Sequence, residues 1–117
     1  MHRFRELKVY QKAISLTREI RQLTKRFPKE EMFSLTSQMN RAGDSIALNI
    51  AEGAGNYSRK GFSKFLGYSI RSGYECICCL DIAIENSFIV PPKRDRLFEK
   101  IDEVNAMLVG LSKSLAK

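Results

Sequence analysis

The chain has one histidine, His2, and only three cysteines, Cys76, Cys78 and Cys79, clustered within four residues. Tetrahedral zinc needs four ligands, and His2 is far from the cysteines in sequence, so no metal site is expected. An odd, clustered thiol count does not describe a disulfide framework, and the three read as small apolar side chains. No apolar stretch approaches the roughly 20 residues that span a bilayer. The opening Met1-His2-Arg3-Phe4-Arg5-Glu6 lacks the apolar segment and small-residue cleavage site of a signal peptide, so a cytoplasmic protein with no membrane association is expected. Strand-like alternation, internal repeats and low-complexity tracts are absent. So are a zinc finger and an aromatic RNA-binding sheet, which excludes the familiar base-reading modules.

What is present suffices for one folded unit. The 117 residues suit a single domain spanning 1–117, and 44% hydrophobic content can supply its core. Pro28, the Gly53-to-Ser58 segment, Asn86-Ser87 and Pro91-Pro92 divide the chain, because proline suits a helix start and glycine its exit. Four segments remain, about 5–26, 29–52, 59–86 and 92–116. Each carries a seam with spacings of three and four. These are Val9, Ala13, Leu16, Ile20, Leu23, Phe27; then Leu35, Met39, Ala42, Ile46, Asn49; then Phe62, Leu66, Ser69, Gly73, Cys76, Leu80, Ala83; and Leu97, Ile101, Val104, Leu108, Leu111, Leu115. Such spacing predicts an all-α, antiparallel up-down-up-down four-helix bundle. The small residues in the third seam predict close helix approach.

Charge is unevenly spread. Residues 1–29 hold nine basic and two acidic residues, which accounts for the whole net charge of +7; the remainder holds eleven of each. Lys8, Lys12, Arg18 and Arg26 lie opposite the first seam, Arg21 and Lys25 at its edge, and Arg3 and Arg5 ahead of it. Cations so placed suit nucleic-acid phosphates, where binding gains from released counterions. RNA or DNA is therefore the expected partner, contacted through backbone charge rather than base identity.

A polar stripe marks the second helix: Gln38, Arg41, Ser45, Asn49 and Glu52 fall in one narrow sector. Arg41 and Glu52 are too far apart to pair on one helix, and Asn49 occupies a seam-like position where a buried amide fixes register. No histidine, second carboxylate or nucleophile pair accompanies the stripe, so catalysis is not expected. Gly53-Ala54-Gly55 lacks the preceding strand and the lysine of a phosphate loop and reads as a helix C-cap and turn. The chain therefore has no evident enzymatic site and no expected cofactor. On the third helix Tyr68, Cys79 and Ile82 share a face with Lys64, Arg71 and Glu75. Apolar groups left wet by a monomer predict a subunit contact there.

The run Phe27-Pro28-x-x-Glu31-x-Phe33-x-Leu35-x-x-Gln38-x-x-Arg41-Ala42-x-x-Ser45-Ile46-x-x-Asn49-Ile50-Ala51-Glu52-Gly53 resembles the signature of one family. Its members are four-helix-bundle proteins encoded within intervening sequences of bacterial large-subunit ribosomal RNA genes, together with accessory variability determinants of diversity-generating retroelements. Phe4-x-x-Leu7-x-Val9-Tyr10-x-x-Ala13 is similar to the family's opening, and Phe62-x-x-Phe65-Leu66, Ser72-x-x-Glu75 and Leu80-x-Ile82-Ala83 continue the likeness. The resemblance implies a homopentamer and, for the retroelement branch, nucleic acid and a reverse transcriptase as partners. The chain departs from the pattern at Arg71, where glycine is usual, at Cys76, where leucine is common, and at Ser69, where alanine is common. The alternative expectation is a protein-interaction scaffold without nucleic-acid binding.

Overall fold

A computed structural model describes residues 3–116; His2 lies outside them. The described residues form four α-helices and no strand: α1 (Lys8–Thr24), α2 (Leu35–Ala54), α3 (Arg59–Glu85) and α4 (Pro91–Leu115). Short 3-10 turns cover Arg3–Glu6 and Lys29–Glu31. The helices pack into a body of 44 × 23 × 20 Å.

Local chemistry sets the ends. Pro28 has no N–H for a further helical bond, and α1 closes with tightened bonds from Arg26 N to Leu23 O and from Phe27 N to Thr24 O. The second helix starts at Leu35, later than the expected 29. Met32 and Phe33 face solvent, so 29–34 has no apolar stripe to bury as a helical turn. The Glu31 carboxylate accepts from Ser34 Oγ at 2.8 Å and from Leu35 N at 3.4 Å, which orders the entry to α2. Ser58 caps α3 by accepting from Gly61 N at 2.9 Å. At the far end of α3, Ser87 adopts φ 60°, Phe88 N bonds to Ala83 O at 2.8 Å and Ser87 N to Ile84 O at 3.0 Å. That pair of bonds is the Schellman exit, here with serine in the left-handed position usually given to glycine.

One core cluster draws on all four helices. Every seam residue of α1 is buried, and so is every one of α3 except the half-buried Phe62. On α4, Leu97, Ile101, Val104 and Leu108 are buried, while Leu111 and Leu115 are only partly covered. Full burial of such aliphatic side chains contributes about 1.5–3 kcal/mol each. The α2 seam departs from expectation: Ile46 is followed by Ile50 and Gly53, and Asn49 lies half-buried beside it. Gly53 is no C-cap. It sits inside α2, where a Cβ would stand 2.8 Å from Phe65 Cβ and 3.2 Å from Phe62 O. Its missing side chain lets the end of α2 rest on the start of α3.

The buried register amide is Asn105 of α4. It is 6% exposed, donates through Nδ2 to Ile70 O at 3.4 Å, and leaves Oδ1 without a partner among the described residues. It lies directly over Gly73, where an added Cβ would come within 2.7 Å of both Cγ and Nδ2 of Asn105. Gly73→Ala should therefore destabilise the fold by about 1–3 kcal/mol through overpacking. Gly67→Ala, with nothing within 4 Å of its added Cβ, should stabilise by about 0.5–1 kcal/mol through helix propensity. Urea denaturation of the two variants checks the opposite signs; a stabilised Gly73→Ala would refute the tight contact.

Candidate nucleic-acid interface

Arg3, Arg5, Lys8, Lys12, Arg18, Arg21, Lys25 and Arg26 are all exposed, the first two on the opening 3-10 turn. The structure sorts them by edge. Arg21 faces α2 and donates two bonds to the Asp44 carboxylate, at 2.7 and 2.8 Å. Those bonds hold the guanidinium pKa above its ordinary value. Lys12 faces α4 and pairs with Glu103 at 3.3 Å. Arg3, Arg5, Lys8, Arg18, Lys25 and Arg26 have no ion-pair partner among the described residues.

A second set of cations went unnoticed in the sequence. Lys93, Arg96 and Lys100 stand along the α1-facing edge of α4. Lys100 Nζ lies 2.8 Å and Arg96 Nη2 3.7 Å from the Glu19 carboxylate, whose side chain is 19% exposed. Around Glu19, Gln22, Arg26, Lys93 and Arg96 a cleft of about 430 Å³ opens between α1 and α4. Counting charge by stretches of chain hides these cations, because Asp95, Glu99, Asp102 and Glu103 cancel them. Their spacing of three and four was the available signal.

The polar stripe of α2 meets α3 through Gln38. Gln38 Nε2 donates to Glu75 Oε2 at 2.8 Å, and Ser69 Oγ, fully buried, donates to Ile46 O at 2.9 Å. Asn49 donates to Ser45 O of its own helix at 2.8 Å, so its amide does not bridge helices. Arg41 and Glu52 are exposed and carry no ion pair among the described residues. Arg71 places its guanidinium 5.8 Å from the Tyr68 ring centre, and Tyr68 meets Phe65 edge-to-face at 5.4 Å. Ile82 is 42% exposed and Leu48 61%. Cys79 corrects the expectation of a wet face: it is 2% exposed and belongs to the core with Cys76.

No group of three or more metal-ligating side chains occurs among the described residues, and no described helix is long and apolar enough to cross a membrane. A four-helix all-α body with cations along one edge and a polar face on another is the class these observations define. The family model for the 23S rRNA-intervening sequence protein matches residues 5–110, and the chain belongs to that family. No curated protein matches it. A crystal structure of a protein of unknown function from the S23 ribosomal protein family, from Bacteroides thetaiotaomicron VPI-5482, is similar to it at a TM-score of 0.83. That likeness has 24% identity and covers 90% of this chain and 98% of that one.

The thiols offer a direct check on the placement of α3. Burial pushes Cys76 up to about 12 and Cys79 up to about 11, with nearby Glu75 adding to both. Cys78 is exposed. In the folded protein a thiol reagent should modify Cys78 and reach the other two only on denaturation. An unfolded thiol ionises near 9.0. Stability should therefore fall as pH rises from about 9, with the loss complete only near the folded values. Urea midpoints at about pH 8 and about pH 10.5 should differ less in a Cys76→Ala/Cys79→Ala variant than in wild type. Equal differences would contradict the burial.

Proposed function

We propose that the chain is a non-enzymatic accessory protein that assembles with copies of itself and binds RNA or DNA through the basic face of α1. The observation that carries this reading is the set of exposed cations Arg3, Arg5, Lys8, Arg18, Lys25 and Arg26, which have no ion-pair partner among the described residues, on one side of a body whose described residues form no catalytic group. Membership in a family of rRNA-intervening sequence proteins is consistent with a nucleic-acid context. Binding follows phosphate charge and is weakly selective for sequence. A reverse transcriptase is the protein partner suggested by the likeness to retroelement accessory determinants.

The bundle is antiparallel up-down-up-down on this reading. Support comes from contacts whose numbers fall on one helix as they rise on the next: Arg21–Asp44 and Thr24–Asn40, Gln38–Glu75 and Ile46–Ser69, Lys12–Glu103 and Glu19–Lys100. Self-association uses the α2–α3 face, with Tyr68, Arg71 and Ile82 beside the Gln38–Glu52 stripe, and the assembly is a pentamer. A second reading, a scaffold for protein partners without nucleic acid, is favoured by the exposed Leu48 between Arg41 and Glu52.

Sedimentation equilibrium at micromolar concentration should report about five times the 13.4 kDa chain mass. Ile82→Asp should shift it toward monomer, and a wild-type monomer would overturn the assembly reading. In filter binding, Lys8→Gln/Arg18→Gln should make the slope of log affinity against log salt shallower by roughly 1.4–1.8 units, at about 0.7 per phosphate contact on single strands and 0.9 on duplex. Thermal stability should barely change, since exposed charges contribute little to folding. An unchanged slope would remove the α1 face from the binding surface and leave the scaffold reading ahead.

A further inference from the structure

The geometry points to a second bank for this interface: Lys93 and Arg96 of α4 close a phosphate-binding groove with Arg26 and Gln22 of α1. The inference rests on the nucleic-acid reading above and extends it to a stretch of α4, residues 93–103, whose charges sum to zero. Arg26, Lys93 and Arg96 line the cleft with a single carboxylate, Glu19, which Lys100 approaches from the adjoining stretch. Lys100 satisfies that carboxylate at 2.8 Å, whereas Arg96 stays 3.7 Å away with 73% of its side chain exposed. Arg26 and Lys93 have no ion-pair partner among the described residues. Positive charge therefore remains in surplus at the cleft, with donors on both walls.

Shape argues for a polymer backbone over a small anion. The cleft is an open groove, and its cations are exposed rather than sunk in a closed pocket that would desolvate a single ion. A second, smaller cleft lies beside it on the α1–α4 seam, sharing Glu19 and lined also by Lys12, Ser15, Lys100 and Glu103, with the Glu19–Lys100 and Lys12–Glu103 pairs spanning the two helices. Lys8 lies on the same α1 row at helical spacing. Leu23 and Leu97 contribute apolar area to the cleft, and no aromatic ring lines it. Nothing there stacks a base, so the groove holds sugar and phosphate and leaves the bases unread. The spacing of Lys93, Arg96 and Lys100, at about 1.5 Å rise per residue, sets cations roughly 4.5–6 Å apart along the axis.

The test is a filter-binding titration at several salt concentrations with a duplex and a single-stranded oligonucleotide, for wild type, Lys93→Gln/Arg96→Gln, and Lys60→Gln/Lys113→Gln as a charge-matched control away from the groove and from the α2–α3 face. The α4 pair should make the salt slope shallower by roughly 1.4–1.8 units, the control pair should leave it within error, and both variants should melt like wild type. Wild-type binding with an unchanged slope in the α4 pair would overturn the groove while the α1 reading stands. Equal losses in both pairs would also overturn it, since net charge alone would then explain binding. Absence of wild-type binding to either oligonucleotide would overturn the nucleic-acid reading and the groove with it.

Discussion

The close seating of α3 against its neighbours is the constraint on which the rest of the molecule depends. Ser69, Gly73, Cys76 and Ala83 present almost no side-chain bulk, so α2 and α4 approach the α3 backbone itself. Two polar contacts result that a wider spacing would forbid: the Ser69 hydroxyl reaches the Ile46 carbonyl, and the Asn105 amide reaches the Ile70 carbonyl across Gly73. Both contacts use backbone oxygens already inside helices, so they fix axial register without breaking a helix. A polar group that deep is stabilising only when bonded. With no partner among the described residues, Oδ1 of Asn105 therefore offsets part of what its Nδ2 contributes.

By contrast α1 meets the bundle with the bulkier Leu16, Ile20, Leu23 and Phe27, and its contact with α4 is the least extensive among the four neighbouring helix pairs. Large seam residues hold the axes apart, and long charged side chains fill the edges of the gap. Glu19, Lys100, Arg96, Lys12 and Glu103 are there because a lysine or arginine stem covers apolar surface while its head stays in water. The open groove beside α1 is thus a consequence of packing: the small residues of the third helix draw three helices tightly together and leave the first standing off.

Most of the fold was legible because burial repeats with the helical period. The seams of α1, α3 and α4 follow directly from spacing, and the breaks at Pro28, Ser58 and Asn86-Ser87 follow from capping chemistry. What failed were positions where identity and neighbourhood disagree. Gly53 resembles a cap, yet its role is to let Phe62 and Phe65 come close, a tertiary demand invisible in one segment. Asn49 sits near the seam, but Ile50 beside it takes the buried place, and the amide in the core is Asn105. Cys79 looked wet because its angular neighbours on α3 are charged, although its own side chain is buried in the core. The α1 cations were visible from composition, while their α4 counterparts were not, since balanced charge in sequence can still separate onto different faces of a helix.

The two candidate surfaces lie on opposite sides of the bundle, and this bears on how they would act together. α1 and α4 form one groove, α2 and α3 the other, and the four helices close in cyclic order. Each copy brings a net charge of +7, so any assembly must hold like charges together. Screening falls off over about 8 Å at physiological salt, which makes the separation of basic edges decisive for the repulsion. Association through the α2–α3 face, where Gln38 is hydrogen-bonded to Glu75 and Arg71 lies over Tyr68, would turn every α1–α4 edge outward. The cations would then be spaced by the body of each bundle, and a polyanion passing from one copy to the next would neutralise what repulsion remained. On the proposed reading, assembly and nucleic-acid binding therefore reinforce one another, because neither consumes the surface the other needs.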